Sequence, residues 1–139
     1  MYLIDTNIIS EIRKRNRANT GVRNFFKQVI QDSVPVYVSV VTIGELRRGI
    51  ELIRHRGDTK QADRLEQWFL AVLEDYQNNI LELDKETAQL WGKLRVPHHE
   101  NALDKQIAAT ALIHGLTVVS RNSEHFTRTG VKVLNPFSG

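Results

Sequence analysis

Residues 2–12 read YLIDTNIISEI. A short apolar run, YLI, passes into three consecutive polar side chains, Asp5, Thr6 and Asn7, and then into a helical pattern. A strand over 2–5 that opens directly onto a helix near Thr6 is the first half of a βαβ unit. The same alternation continues along the chain. Strands are expected at 36–40 (VYVSV), 80–83 (ILEL), 117–120 (TVVS) and 131–134 (VKVL), separated by longer helical stretches. That order of elements calls for an α/β fold with a mainly parallel sheet of about five strands, covered on both faces.

Between the second and third strands the pattern predicts two helices. The first runs from about Thr42 to His55 and stops at RGD, where Gly57 accepts the left-handed conformation of a helix end. The second runs from about Thr59 to Gln77 and aligns Leu65, Phe69, Val72, Leu73 and Tyr76 on one stripe. One helix would suffice to join two parallel strands. The hairpin is therefore an added feature, expected to serve self-association or partner binding. A helix near 85–95 carries Ala88, Trp91 and Leu94 and gives way at Pro97. Another follows in NALDKQIAATALIHG, residues 101–115, with Leu103, Ile107, Ala108, Ala111 and Leu112 as its apolar stripe. Trp68 and Trp91 lie on apolar stripes and are read as core or interface residues rather than as platforms for stacked bases.

Composition narrows the function classes. A chain of 139 residues is read as one domain, 1–139, since chains of about this size bury roughly 68–70% of their unfolded surface in a single core. Hydrophobic residues at 41% and charged residues at 25% fit an ordinary globular protein. The absence of cysteine excludes disulfides and Cys-based zinc sites. The longest apolar run, VPVYVSVV at 34–41, falls well short of the ~20 residues of a membrane span. With strand-like sequence directly after Met1, no signal peptide is expected, and a cytoplasmic location follows. A net charge of +3 and a pI near 9.4 suit an anionic partner without identifying one.

The acids carry more information. Asp5 ends strand 1 and Asn122 lies just beyond strand 4, both at the carboxyl edge where open parallel sheets gather ligands. Glu45 is expected in the first turn of the helix after strand 2, at the same edge. Asp104 opens the helix that precedes strand 4 and is expected at the opposite edge for a simple crossover. Each acid also has a capping interpretation: TIGE at 42–45 is a capping box, NALD at 101–104 is its Asn-led relative, and Asp5 caps the helix at Thr6. Taken singly the caps suffice. Chemistry rests on the set.

Four ordered stretches, YLIDTNIISEI, VSVVTIGELRRGI at 38–50, NALDKQIAATALIHGLTVVSRN at 101–122 and HF at 125–126, closely resemble the PIN-domain ribonucleases. Within them the chain is similar to the VapC/FitB-type toxins of type II toxin–antitoxin pairs, from residue 2 to about 137. The resemblance implies a three-layer α/β/α sandwich in which Asp5, Glu45 and Asp104 bind a divalent metal, Mg or Mn. Asn122 matches a fourth position, acidic in many members; an amide there removes one charge and favours one metal over two. Ser120 stands where Thr is frequent and keeps the hydroxyl. Thr6, Asn7 and Ser120 are expected to orient carboxylates or waters. The resemblance also implies an RNA substrate, a cognate antitoxin that covers the acidic pocket, a homodimer and a larger toxin–antitoxin assembly.

The residue types suit that chemistry. Clustered carboxylates repel one another, and a divalent ion relieves the repulsion. Mg takes one or two carboxylates directly and keeps several waters, and Mn accepts the same hard ligands. Asp5 and Asp104 are the expected direct ligands, Glu45 a water-mediated ligand or general base, and Asn122 a positioner. Arg47 and Arg121 are candidate phosphate contacts, with Arg48 beside them; Arg13, Lys14, Arg15 and Arg17 are read as a solvated loop. All five histidines, including the adjacent His98 and His99, are expected to lie outside the chemistry. Two rivals remain at this stage. One is a phospho-receiver module using Asp5 or Asp84, which lacks paired acids after strand 1. The other is a catalytically silent scaffold, which the retained acids oppose.

Overall fold

The computed structural model describes residues 1–137. Five short strands, β1 (Tyr2–Ile4), β2 (Val36–Ser39), β3 (Ile80–Leu81), β4 (Thr117–Val119) and β5 (Val133–Leu134), form a sheet of order β3-β2-β1-β4-β5. Every pairing is parallel, with Leu3 opposite Tyr37 on one side and Val118 on the other. The strands are shorter than their sequence spans. Asp5 turns from β1 into the N-cap of α1 while its N–H still donates to Val119 O at 2.9 Å, and the expected 80–83 strand ends at Leu81, ahead of Asp84, the N-cap of α5.

Six α-helices surround the sheet: α1 (Thr6–Ile12), α2 (Thr20–Gln31), α3 (Val40–His55), α4 (Thr59–Asp75), α5 (Lys85–Leu94) and α6 (Ala102–His114). Alternation along the strands divides the core. Ile4 and Val119 join Ile8, Val22, Phe25, Leu46, Ile50 and Phe69 under α1–α4, while their neighbours Leu3 and Val118 join Ile107, Ala108, Ala111 and Phe126 under α6. The result is the expected three-layer α/β/α sandwich.

Several local expectations need correction. Helix α2 has no counterpart in the sequence reading, yet Asn19 caps it by accepting from Gly21 and Val22 N–H, and Val22, Phe25 and Val29 are buried at helical spacing. Helix α3 begins two residues early, because Ser39 Oγ accepts from Val41 N–H at 3.0 Å. TIGE therefore lies inside the helix and forms no capping box, and Glu45 sits in the second turn. Asn101 is left-handed (φ 55°) and makes no side-chain cap, so NALD is not the capping motif either. Leu103, expected on the buried stripe of α6, is 49% exposed.

The direction of α6 also differs from expectation. A helix that feeds a parallel strand runs antiparallel to it, so α6 starts at the carboxyl edge and ends at Gly115 (φ 67°) where β4 begins. Helix α5 runs alongside in the opposite sense. The Trp91 indole N–H donates to Ala102 O at 2.9 Å, tying the end of α5 to the start of α6. Asp104 is thereby carried to the edge shared by Asp5.

Candidate active site

Strand order reverses between β1 and β4, since the chain builds outward through β2 and β3 on one side and through β5 on the other. The crevice beyond the carboxyl ends of those two strands is where open α/β sheets place ligands. Asp5 sits there as the N-cap of α1. It is 3% exposed and accepts from Thr6 N–H at 2.8 Å, from Ser120 Oγ–H at 2.8 Å and from Asn7 Nδ2–H at 3.3 Å. Burial raises its carboxyl above the usual range, and the Asp104 charge adds to the rise; the Ser120 and Thr6 hydrogen bonds oppose it.

Asn7 and Ser120 fasten the two strand ends together. Asn7 Nδ2 donates to Ser120 Oγ at 3.3 Å, and Asn7 Oδ1 accepts from Arg121 N–H at 3.0 Å. The Asn122 backbone N–H donates to Ser120 Oγ at 3.0 Å, which puts Asn122 on the rim of the same crevice. Glu45 approaches from α3, where Thr6 Oγ1–H donates to its Oε1 at 2.7 Å. Desolvation raises the Glu45 carboxyl, and the charges of Asp5 and Asp104 push it further up against the Thr6 hydrogen bond. Asp104, third residue of α6, completes the group.

The structure thus brings Asp5, Glu45, Asp104, Thr6, Asn7, Ser120 and Asn122 together. Arg47 is directed elsewhere. Its guanidinium pairs with Glu51 at 3.0 Å and Glu66 at 2.9 Å and lies 4.9 Å over Phe69, on the α3–α4 hairpin. Arg121 is exposed, with its guanidinium 4.9 Å over the Phe137 ring. One histidine departs from the expectation that all five lie away from the acids: His125 Nδ1 stands 2.8 Å from Asp104 Oδ2. The available signal was its place three residues after Asn122, on the loop leaving β4.

The donor set consists of hard carboxylate oxygens backed by hydroxyls and an amide, which suits Mg or Mn. Among the described residues, no three His, Cys, Asp or Glu side chains close around one point tightly enough to share an ion directly. Mg tolerates this, because it keeps much of its water shell and reaches further acids through it.

The model of the PIN domain matches residues 2–132. The chain belongs to the PIN domain family. It is 35% identical over 144 residues to the toxin FitB of Neisseria gonorrhoeae, covering 99% of both chains. It is 28% identical over 143 residues to the VapC ribonuclease Y4jK of Sinorhizobium fredii, covering 99% of this chain and 98% of that one. The crystal structure of FitAcB from N. gonorrhoeae superposes with a TM-score of 0.85 at 32% identity over the full length of both chains. In this PIN fold the acids occupy the end of β1, the second turn of α3 and the first turn of α6.

Proposed function

We propose that residues 1–139 form one PIN domain acting as a metal-dependent endoribonuclease toxin, neutralised by a cognate antitoxin. The observation that carries the reading is that Asp5, at the end of β1, Glu45, on α3, and Asp104, in the first turn of α6, face the crevice beyond β1 and β4. Ser120 holds Asp5, Thr6 holds Glu45, and the Asp104 charge adds to the rise that burial gives both carboxyls. Likeness over almost the whole chain to a protein named a toxin and to one named a VapC ribonuclease supports it. The homodimer, the larger toxin–antitoxin assembly and the cytoplasmic location belong to the same proposal. No helix among the described residues is long and apolar enough to cross a membrane.

Asp5 and Asp104 would hold Mg or Mn, with Glu45 reaching it through water. When bound, such an ion polarises a phosphodiester oxygen, lowers the pKa of an attacking water and offsets charge on the leaving oxygen. The protein supplies the rest. Thr6 fixes one oxygen of Glu45, leaving Oε2 to accept the proton of the attacking water. Asn7 and Ser120 hold Asp5 in a single orientation. Asn122 would position a water or a phosphate oxygen at the rim, and Arg121 would meet the RNA backbone further out.

Asp84 serves a structural purpose that leaves the receiver reading without support. It caps α5 by accepting from Thr87 N–H at 2.8 Å, and that bond keeps its carboxyl below the usual range. Induced expression in bacteria tests the toxin reading. Wild type is expected to arrest growth, with Asp5→Ala tolerated and co-expressed antitoxin restoring growth; equal toxicity of the two proteins would count against it.

A further inference from the structure

The contact between His125 and Asp104 is built rather than incidental. His125 lies in a short 3-10 turn, Ser123–Phe126, that leaves the end of β4. The turn is anchored by Phe126, 1% exposed and packed with Ile107, Ala108 and Ala111 of the helix that carries Asp104. Thr129 Oγ1–H donates to Phe126 O at 2.6 Å, and His125 N–H to Asn122 O at 3.0 Å. The imidazole is thus held against the first turn of α6 by the core itself. Its side chain is 35% exposed and that of Asp104 21%.

A carboxylate has no proton to give, so the 2.8 Å contact requires His125 Nδ1 to carry the hydrogen. Both neutral Nδ1–H imidazole and imidazolium meet that requirement. The bond occupies Asp104 Oδ2 and leaves Oδ1 unconstrained by it. Histidine Nε2 faces outward, 3.7 Å from Glu124 Oε1.

We propose that His125 is a positioning residue for the PIN site: its Nδ1–H fixes the Asp104 carboxylate so that Oδ1 is presented to the divalent ion. This rests on the reading of Asp104 as an ion ligand. Partners of this kind, one step removed from the ion, change metal affinity by about 10–100-fold when removed. Asparagine retains an N–H donor near the Nδ1 position. Leucine retains none, and glutamine moves its donor outward by about one bond length, toward the place of Nε2.

Mn2+ binding is measured by calorimetry on the full-length wild-type protein and on His125→Leu, His125→Gln, His125→Asn and Asp104→Asn, with thermal unfolding of each in EDTA. The expected result is a loss of about 10–100-fold in affinity for the Leu and Gln variants. His125→Asn should stay within about threefold of wild type, with similar unfolding temperatures for all three His125 variants. Asp104→Asn should bind at least as weakly as His125→Leu. Wild-type affinity in His125→Leu beside weakened Asp104→Asn overturns the role of His125 alone. Wild-type affinity in Asp104→Asn overturns the ligand reading beneath it. Weak binding by His125→Asn equal to that of His125→Leu would overturn the donor geometry.

Discussion

Ser120 Oγ donates to Asp5 Oδ2 at 2.8 Å, joining residues 115 apart in sequence at the ends of β4 and β1. Both side chains are buried, at 0% and 3% exposure. A buried carboxylate deprived of a donor loses stabilisation that water cannot replace. Ser120→Ala is therefore expected to destabilise the fold by about 1–3 kcal/mol, read as a lower urea midpoint. Ser120→Thr keeps the hydroxyl and should retain most of that stability.

Thr6 performs the matching task for Glu45 through its 2.7 Å hydrogen bond. Thr6→Val preserves shape and removes the donor, leaving the carboxylate free to rotate. RNA cleavage is expected to fall by roughly tenfold, with Thr6→Ser close to wild type. Initial rates at saturating Mg and matched folded protein check the pair.

The Glu45 carboxyl is raised by burial, and further by the Asp5 and Asp104 charges. A carboxyl that holds its proton more tightly when folded costs stability as pH rises through its folded pKa; below the unfolded pKa, about 4.3, that cost vanishes. In EDTA, Glu45→Gln should therefore unfold at a higher temperature than wild type at pH 7, and the difference should shrink toward pH 4. Adding Mg should raise the wild-type unfolding temperature more than that of the variant. Calorimetric scans at the two pH values, with and without Mg, decide it.

Arg47 stands in a charged network with Glu51, Glu66 and Arg54 rather than at the acids. Arg47→Ala should leave the KM for RNA within about twofold of wild type and cause a small stability loss that high salt largely abolishes. A large rise in KM at unchanged stability would instead place Arg47 on the substrate path.

Much of this arrangement is legible in the residues. Asp5 is announced by apolar YLI breaking into DTN, and the α3–α4 hairpin by Gly57 between two helical patterns. Other features depend on context that local patterns do not carry. Thr42 and Glu45 have capping-box spacing, but Ser39 is a competent cap three residues earlier and the helix starts there. The edge at which Asp104 lies follows from the antiparallel run of α6 relative to β4, a property of the crossover rather than of the NALD motif. Helix α2 carries a signal in the Asn19 cap and in Val22, Phe25 and Val29, but its short apolar stripe follows directly on the basic run at 13–17, which favours a loop. His125 acquires its neighbour only because Phe126 docks on α6.

The central claim is that Asp5, Glu45 and Asp104 jointly hold a divalent ion required for RNA hydrolysis. Cleavage of a single-stranded RNA by purified wild type and by Asp104→Asn, each in Mg, in Mn and in EDTA, tests it most directly. The expected result is cleavage by wild type with either metal, none in EDTA, and a loss of at least about 100-fold in the variant, comparable to removing one essential charge-stabilising group. Equal cleavage by both proteins in EDTA would contradict the claim.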